Sequence, residues 1–135
     1  MIMKKIEPYV RTWYDNFEHG KITGVRCQDC GAVEYPPVPI CNACGKFDME
    51  WIEMKGTATM ISVTESPMPS PFFPDAGPLI GGYITMDEGP TFMSWLVGVP
   101  PEERTSLFDR IPFKVEAEFY QHEGYQYPVF HIKAD

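Results

Sequence analysis

Hydrophobic positions change their spacing twice along this chain. From Pro8 to His19 the run PYVRTWYDNFEH sets Tyr9, Trp13 and Phe17 along one side at helical spacing, with Val10 and Tyr14 on the adjacent turn. One amphipathic helix is predicted there, within an N-terminal segment of residues 1–20. Pro8 suits a first turn and Gly20 suits the position just past the last one. So short a helix with so many aromatic side chains is not stable alone, and must dock either on its own domain or on a partner.

After Trp51 the period shortens to that of strands. Runs of strand character cover Gly56–Glu65, Leu79–Met86, Thr91–Val97, Phe113–Tyr120 and Tyr125–Ile132. In VEAEFY, Val115, Ala117 and Phe119 alternate with Glu116, Glu118 and Tyr120, the mark of a sheet with one wet face. Asp87-Glu88-Gly89-Pro90 and His122-Glu123-Gly124 supply turns between neighbouring runs. Five such strands predict a Greek-key barrel of the OB type over residues 51–135, and a fold class that is mainly β. Between the first two strands, Ser66 to Pro78 is too proline-rich for helix or interior strand and reads as a long stiffened loop. It carries Met68, Phe72 and Phe73, apolar side chains that suit contact with a partner. A second loop, Gly98 to Arg104, leads into a short helical turn ending near Asp109 and reads as a structural connection.

Between helix and strands, residues 21–50 hold all four cysteines as two C-x-x-C turns, Cys27/Cys30 and Cys41/Cys44, separated by ten residues. Two residues between ligands let both thiolates of a tight turn reach one ion at about 2.3 Å, and the opposing turn completes a tetrahedron. Gly31 and Gly45 follow the pairs, where positive φ turns backbone amides toward the sulfurs. A structural zinc on Cys27, Cys30, Cys41 and Cys44 is expected. One iron would suit the same four sulfurs, whereas a redox C-x-x-C needs a single pair at a helix start, and a catalytic zinc needs an open position.

Composition narrows the function. Nineteen acidic against eleven basic side chains give a net charge of −8, which repels a phosphate backbone, so no nucleic acid partner is expected. The opening MIMKKIEPYV lacks the apolar core of a secretory signal, and no later stretch approaches the ~20 apolar residues of a membrane span. A cytoplasmic protein with no membrane partner is expected. No cysteine is left for an acyl-enzyme, there is no Gly-rich phosphate cradle, and no serine has an evident histidine and acid partner. His19, His122 and His131 read as isolated surface or satisfied histidines. No catalytic residue is assigned to the chain.

The aromatic helix, Cys27-x-x-Cys30-Gly31, the proline-rich return, Cys41-x-x-Cys44-Gly45, and the W-x-x-x-x-G run from Trp51 to Gly56 together resemble a known family over nearly the whole chain. These are the acyl-CoA-associated OB-fold proteins with a rubredoxin-like zinc ribbon. One departure is the approach to the fourth strand, Asp109-Arg110-Ile111-Pro112, where family members often carry glycine. The resemblance implies an accessory subunit in a hetero-oligomer with a thiolase-like large subunit that handles coenzyme A thioesters, as do small subunits of thiolases acting on aromatic acyl-CoA such as 2-benzoylsuccinyl-CoA. A hydratase partner and a free-standing ligand- or nucleic-acid-binding module are the alternatives. Trp13, Phe17, Phe72 and Phe73 are the expected partner contacts.

Overall fold

A computed structural model describes residues 8–66, 79–122 and 124–134. Phe72 and Phe73, with Met68, lie outside the described residues. The chain divides into two compact units.

The first unit takes in the chain up to Lys55, with Glu88–Pro90 and Phe119–Pro128. The predicted helix is α1, Pro8–Glu18. It precedes a three-stranded antiparallel sheet of β1 (Ile22–Cys27), β2 (Val33–Glu34) and β3 (Met49–Met54), in the order β2-β1-β3. β1 and β3 pair along their full length, from Ile22 with Met54 to Cys27 with Met49. This pairing carries Trp51 into the ribbon's sheet, where Tyr9 of α1 stacks on it at 5.3 Å.

Helix α1 docks on its own unit. Phe17 is only 2% exposed, with Trp13, Tyr14 and Phe119 rings at 5.1, 5.4 and 6.1 Å. Trp13 meets Tyr35 edge-on, and Tyr14 meets Tyr125. The end of the helix is tied by the Gln126 amide, which donates to the Glu18 carboxylate at 2.9 Å, and by the Gln126 side chain, which donates to the Phe17 carbonyl. Phe17 therefore corrects the expectation of a ring exposed for a partner. Its apolar surface is used inside the unit by residues more than a hundred positions away, and Trp13 is half-buried in the same cluster.

The second unit holds Gly56–Asp87, Thr91–Glu118 and Val129 onward. Its strands are β4 (Thr57–Met60), β5 (Thr64–Ser66), β6 (Leu79–Met86), β7 (Thr91–Leu96), β8 (Phe113–His122) and β9 (Tyr125–Ile132). The sheet order is β4-β8-β9-β7-β6-β5, and a further β4–β6 pairing brings the order round into a nearly closed five-strand ring. The seam is parallel: β7 meets β9 through Leu96 and Phe130. Met60, Ile84, Met86, Val115 and Phe130, each no more than 1% exposed, form the core with Leu107.

The first predicted strand is one continuous run in sequence but two in space. Residues 61–63 bend across β6, where the Ile61 amide donates to the Tyr83 carbonyl and the Tyr83 amide donates to the Ser62 hydroxyl. β4 thus pairs with Ile84–Met86 and β5 with Leu79–Gly81. The crossing is possible because residue 82 is glycine: a Cβ there would sit 1.9 Å from the Ser62 carbonyl oxygen. The second loop forms a 3-10 turn, Pro101–Glu103, before the short helix α2, Leu107–Arg110. At the end of α2 the Arg110 guanidinium lies over the Phe113 ring, 5.8 Å from its centroid.

Candidate metal centre

The two cysteine turns are built alike. In the first, the Gly31 amide donates to the Cys27 carbonyl and the Cys27 amide to the Ala32 carbonyl, both at 2.9 Å. In the second, Gly45 donates to Cys41 at 2.8 Å and Cys41 to Lys46 at 2.9 Å. Each turn closes on a glycine with φ of 80° or 78°, a conformation that a side chain would strain. One turn follows β1 directly and the other lies between β2 and β3, so the β2-β1-β3 sheet holds them face to face. The Glu34 carboxylate on β2 accepts from the Asn42 amide at 3.0 Å and from its side-chain nitrogen at 3.1 Å, clamping the second turn to the sheet.

The four sulfurs all lie within 4.8 Å of one another. Cys27 and Cys44 are 3.6 Å apart and Cys30 and Cys41 3.5 Å, too far for disulfides of about 2.05 Å. A tetrahedral ion with ~2.3 Å arms needs sulfur–sulfur edges of about 3.8 Å. The donor set therefore fits zinc in both chemistry and spacing. The first cysteine of each pair is buried and the second exposed, so one edge of the cluster faces inward and the other faces water.

Charge points the same way. The Cys44 backbone amide, opposed by burial, heads the influences that bring the Cys41 thiol down to about 7. The Lys46 amide acts on Cys44 in the same direction, but burial and the neighbouring thiols outweigh it and push Cys44 up to about 12. Thiols this close cannot all ionise against one another. A divalent cation removes the conflict, because it binds thiolates and displaces their protons. Four protein sulfurs would fill the coordination of a tetrahedral ion, the arrangement of structural rather than catalytic zinc sites.

The histidines are less uniform than their sequence spacing predicts. His19, just past the end of α1, has its Nδ1 2.8 Å from the Asp15 carbonyl oxygen of that helix. His131 is not isolated: its ring nitrogens lie 3.7 Å from the Glu116 and Glu118 carboxylates on neighbouring β8. The alternation of VEAEFY puts those two glutamates on one face, but only strand pairing brings His131 to them. His122 closes β8 as a strand residue. No helix of the described residues is long and apolar enough to cross a membrane.

Two family models match. Residues 17–50 match the ChsH2 rubredoxin-like zinc ribbon domain and residues 51–119 the ChsH2 C-terminal OB-fold domain. A probable enoyl-CoA hydratase alpha subunit from Thermomonospora curvata is 30% identical over 93 residues, 67% of this chain and 28% of that protein. The chain thus spans little more than a quarter of that relative's length. A DUF35 domain-containing scaffold protein from Methanocaldococcus jannaschii is 28% identical over 95 residues, 70% of this chain and 67% of the relative. Among solved structures, an Ltp2-ChsH2(DUF35) aldolase matches with a TM-score of 0.75 at 25% identity, covering 94% of this chain and 96% of that one. A DUF35 protein from Sulfolobus solfataricus shares the fold with a TM-score of 0.61 at 17% identity, over 93% of this chain and 86% of its own. With its paired cysteine turns, its zinc-ribbon match and its OB-fold match over half of its residues, the chain belongs to the ChsH2 family of zinc-ribbon and OB-fold proteins.

Proposed function

We propose that this chain is a non-catalytic, zinc-bearing accessory subunit of an acyl-CoA-processing complex, and that a thiolase-like large subunit carries the catalytic groups. One observation carries the reading: all four cysteines converge within 4.8 Å, so no thiol remains to form an acyl-enzyme. Zinc held by Cys27, Cys30, Cys41 and Cys44 orders the ribbon, and the ribbon and barrel then serve as binding surfaces. The names of relatives support a role beside an enzyme, one being called a scaffold protein and another part of an aldolase. The complex, on this reading, handles a coenzyme A thioester, an aromatic acyl-CoA by the family resemblance. Four metal-committed thiolates suit a reducing compartment such as the cytoplasm.

The test is co-production with a thiolase-like subunit, followed by CoA-dependent cleavage of 2-benzoylsuccinyl-CoA by each chain alone and by both. Turnover that needs both chains is expected. Full turnover by the large subunit alone would make this chain dispensable, and turnover by this chain alone would overturn its non-catalytic role. A second reading, a hydratase partner, is favoured by the Thermomonospora curvata relative. Hydration of an enoyl-CoA by a complex with a hydratase subunit, and no thioester cleavage with the thiolase-like one, would select it. A free-standing nucleic-acid module is disfavoured by the net charge of −8. Single-stranded oligonucleotide binding tighter than about 10⁻⁶ M at physiological salt would revive it.

A further inference from the structure

The outward face of the β6–β7 hairpin carries large apolar side chains and is uncharged, unlike that of β8. Its side chains are Leu79, Tyr83, Thr85, Thr91, Met93 and Trp95, none of them charged, on a chain with a net charge of −8. On β8, by contrast, Lys114, Glu116 and Glu118 stay in contact with water. Tyr83 is 50%, Met93 57% and Trp95 39% exposed, and Ile61, hydrogen-bonded beside Tyr83, is 46% exposed. The register holds these groups together, because Tyr83 lies opposite Met93 and Gly81 opposite Trp95. The Trp95 indole rests over Gly81, where a Cβ would come within 3.1 Å of the ring. The ring is therefore set in place before anything binds, which reduces the ordering cost of using it.

Resting on the proposed accessory role, we propose that this face, centred on Tyr83, Met93 and Trp95, is where the catalytic large subunit docks through an apolar patch of its own. Aromatic and methionine side chains with charge excluded are what the buried centre of a protein interface requires. Area and charge choose the occupant. With aromatic rings that bury 150–250 Å² each when fully covered, the half-exposed patch offers on the order of 400 Å². Two copies joined through it would bury about 800 Å² in total, the scale of a packing contact and short of the ~1,200 Å² of a specific dimer. They would also bring two chains of net charge −8 together. A larger, differently charged partner that uses the patch as its centre and adds contacts around it meets both conditions.

The alternation in TFMSWL, with Thr91, Met93 and Trp95 on one side, is the sequence signal for the face. Only the barrel turned that side outward.

The experiment uses the full chain, free and in complex with the thiolase-like subunit. Hydroxyl-radical footprinting should label Met93, Tyr83 and Trp95 in the free chain and show a severalfold loss of labelling in the complex. Tyr83→Ser combined with Met93→Ser should weaken the complex at least about tenfold at unchanged zinc content. Footprinting on the unaltered chain keeps the test decisive if that variant misfolds. A complex with undiminished labelling, or one indifferent to the double variant, overturns this docking face and leaves the accessory role standing. Failure of the unaltered chains to associate overturns both. A homodimer in light scattering that the double variant dissociates makes a second copy the occupant and overturns the proposal.

Discussion

Replacing Phe17 by alanine separates docking of α1 on its own unit from docking on a partner. The ring is 2% exposed and lies within about a ring's width of Trp13, Tyr14 and Phe119. Truncating so buried a phenylalanine costs about 3–5 kcal/mol, through lost burial and the cavity left behind. That is a large share of the roughly 5–15 kcal/mol that holds a domain folded. At a few degrees per kcal/mol, the unfolding midpoint of the first unit should fall by on the order of 10 °C. Near-ultraviolet circular dichroism follows this unit well, since the ring contacts among Trp13, Tyr14, Phe17, Tyr35 and Phe119 lie in it. Tyr9→Ala is the comparison, because its stacking on Trp51 is half-exposed and its loss should cost only about 0.5–1.5 kcal/mol. A Phe17→Ala chain melting within about 2 °C of the parent would refute internal docking and return α1 to a partner surface.

Three further outcomes follow from the geometry. The purified chain should hold one zinc by elemental analysis, and Cys27→Ser or Cys44→Ser should release it and disorder residues 21–50, since metal binding supplies on the order of 10 kcal/mol to a segment too small to fold unaided; about one iron and no zinc under metal-replete production would sink the assignment. Gly82→Ala should lower the urea midpoint by the equivalent of about 1–3 kcal/mol, because a Cβ 1.9 Å from the Ser62 oxygen forces the strand crossing apart, and an unchanged midpoint would contradict that crossing. Burial first, then the neighbouring Tyr120 and Tyr125, pushes Tyr127 up to about 12. Folding thus favours its neutral form, and that contribution to stability is complete below pH 10 and disappears as pH rises through 12. Phenolate absorbance should show a late rise, shared with Tyr35, whose phenol burial also pushes up, and Tyr127→Phe should reduce it; an unchanged late rise in that variant would count against the packing.

The cysteine cluster is legible in the sequence because its determinants are local. Ligand type, two-residue spacing and trailing glycines are all short-range, and each turn closes through bonds reaching only five residues along the chain. The α1 pattern and β6 and β9 were legible for the same reason, since helical and strand periods are written in neighbouring residues. What the helix covers was not. Phe17 meets Phe119 and Gln126, and no periodicity in residues 8–19 encodes a contact a hundred positions away. The break in the first barrel strand depended on Gly82, twenty residues downstream, being bare enough to be crossed. His131 gained two carboxylate neighbours, and Tyr83, Met93 and Trp95 gathered on one face, through strand register alone. Sequence by itself determined the helical period of α1, the strands β6 and β9 and the grouping of the four cysteines, which depend on short-range geometry; tertiary structure made paired strands of Ile22–Cys27 and Met49–Met54, split the first barrel strand where it crosses Gly82, and decided which faces became interior, because pairing and burial are properties of the whole chain's packing.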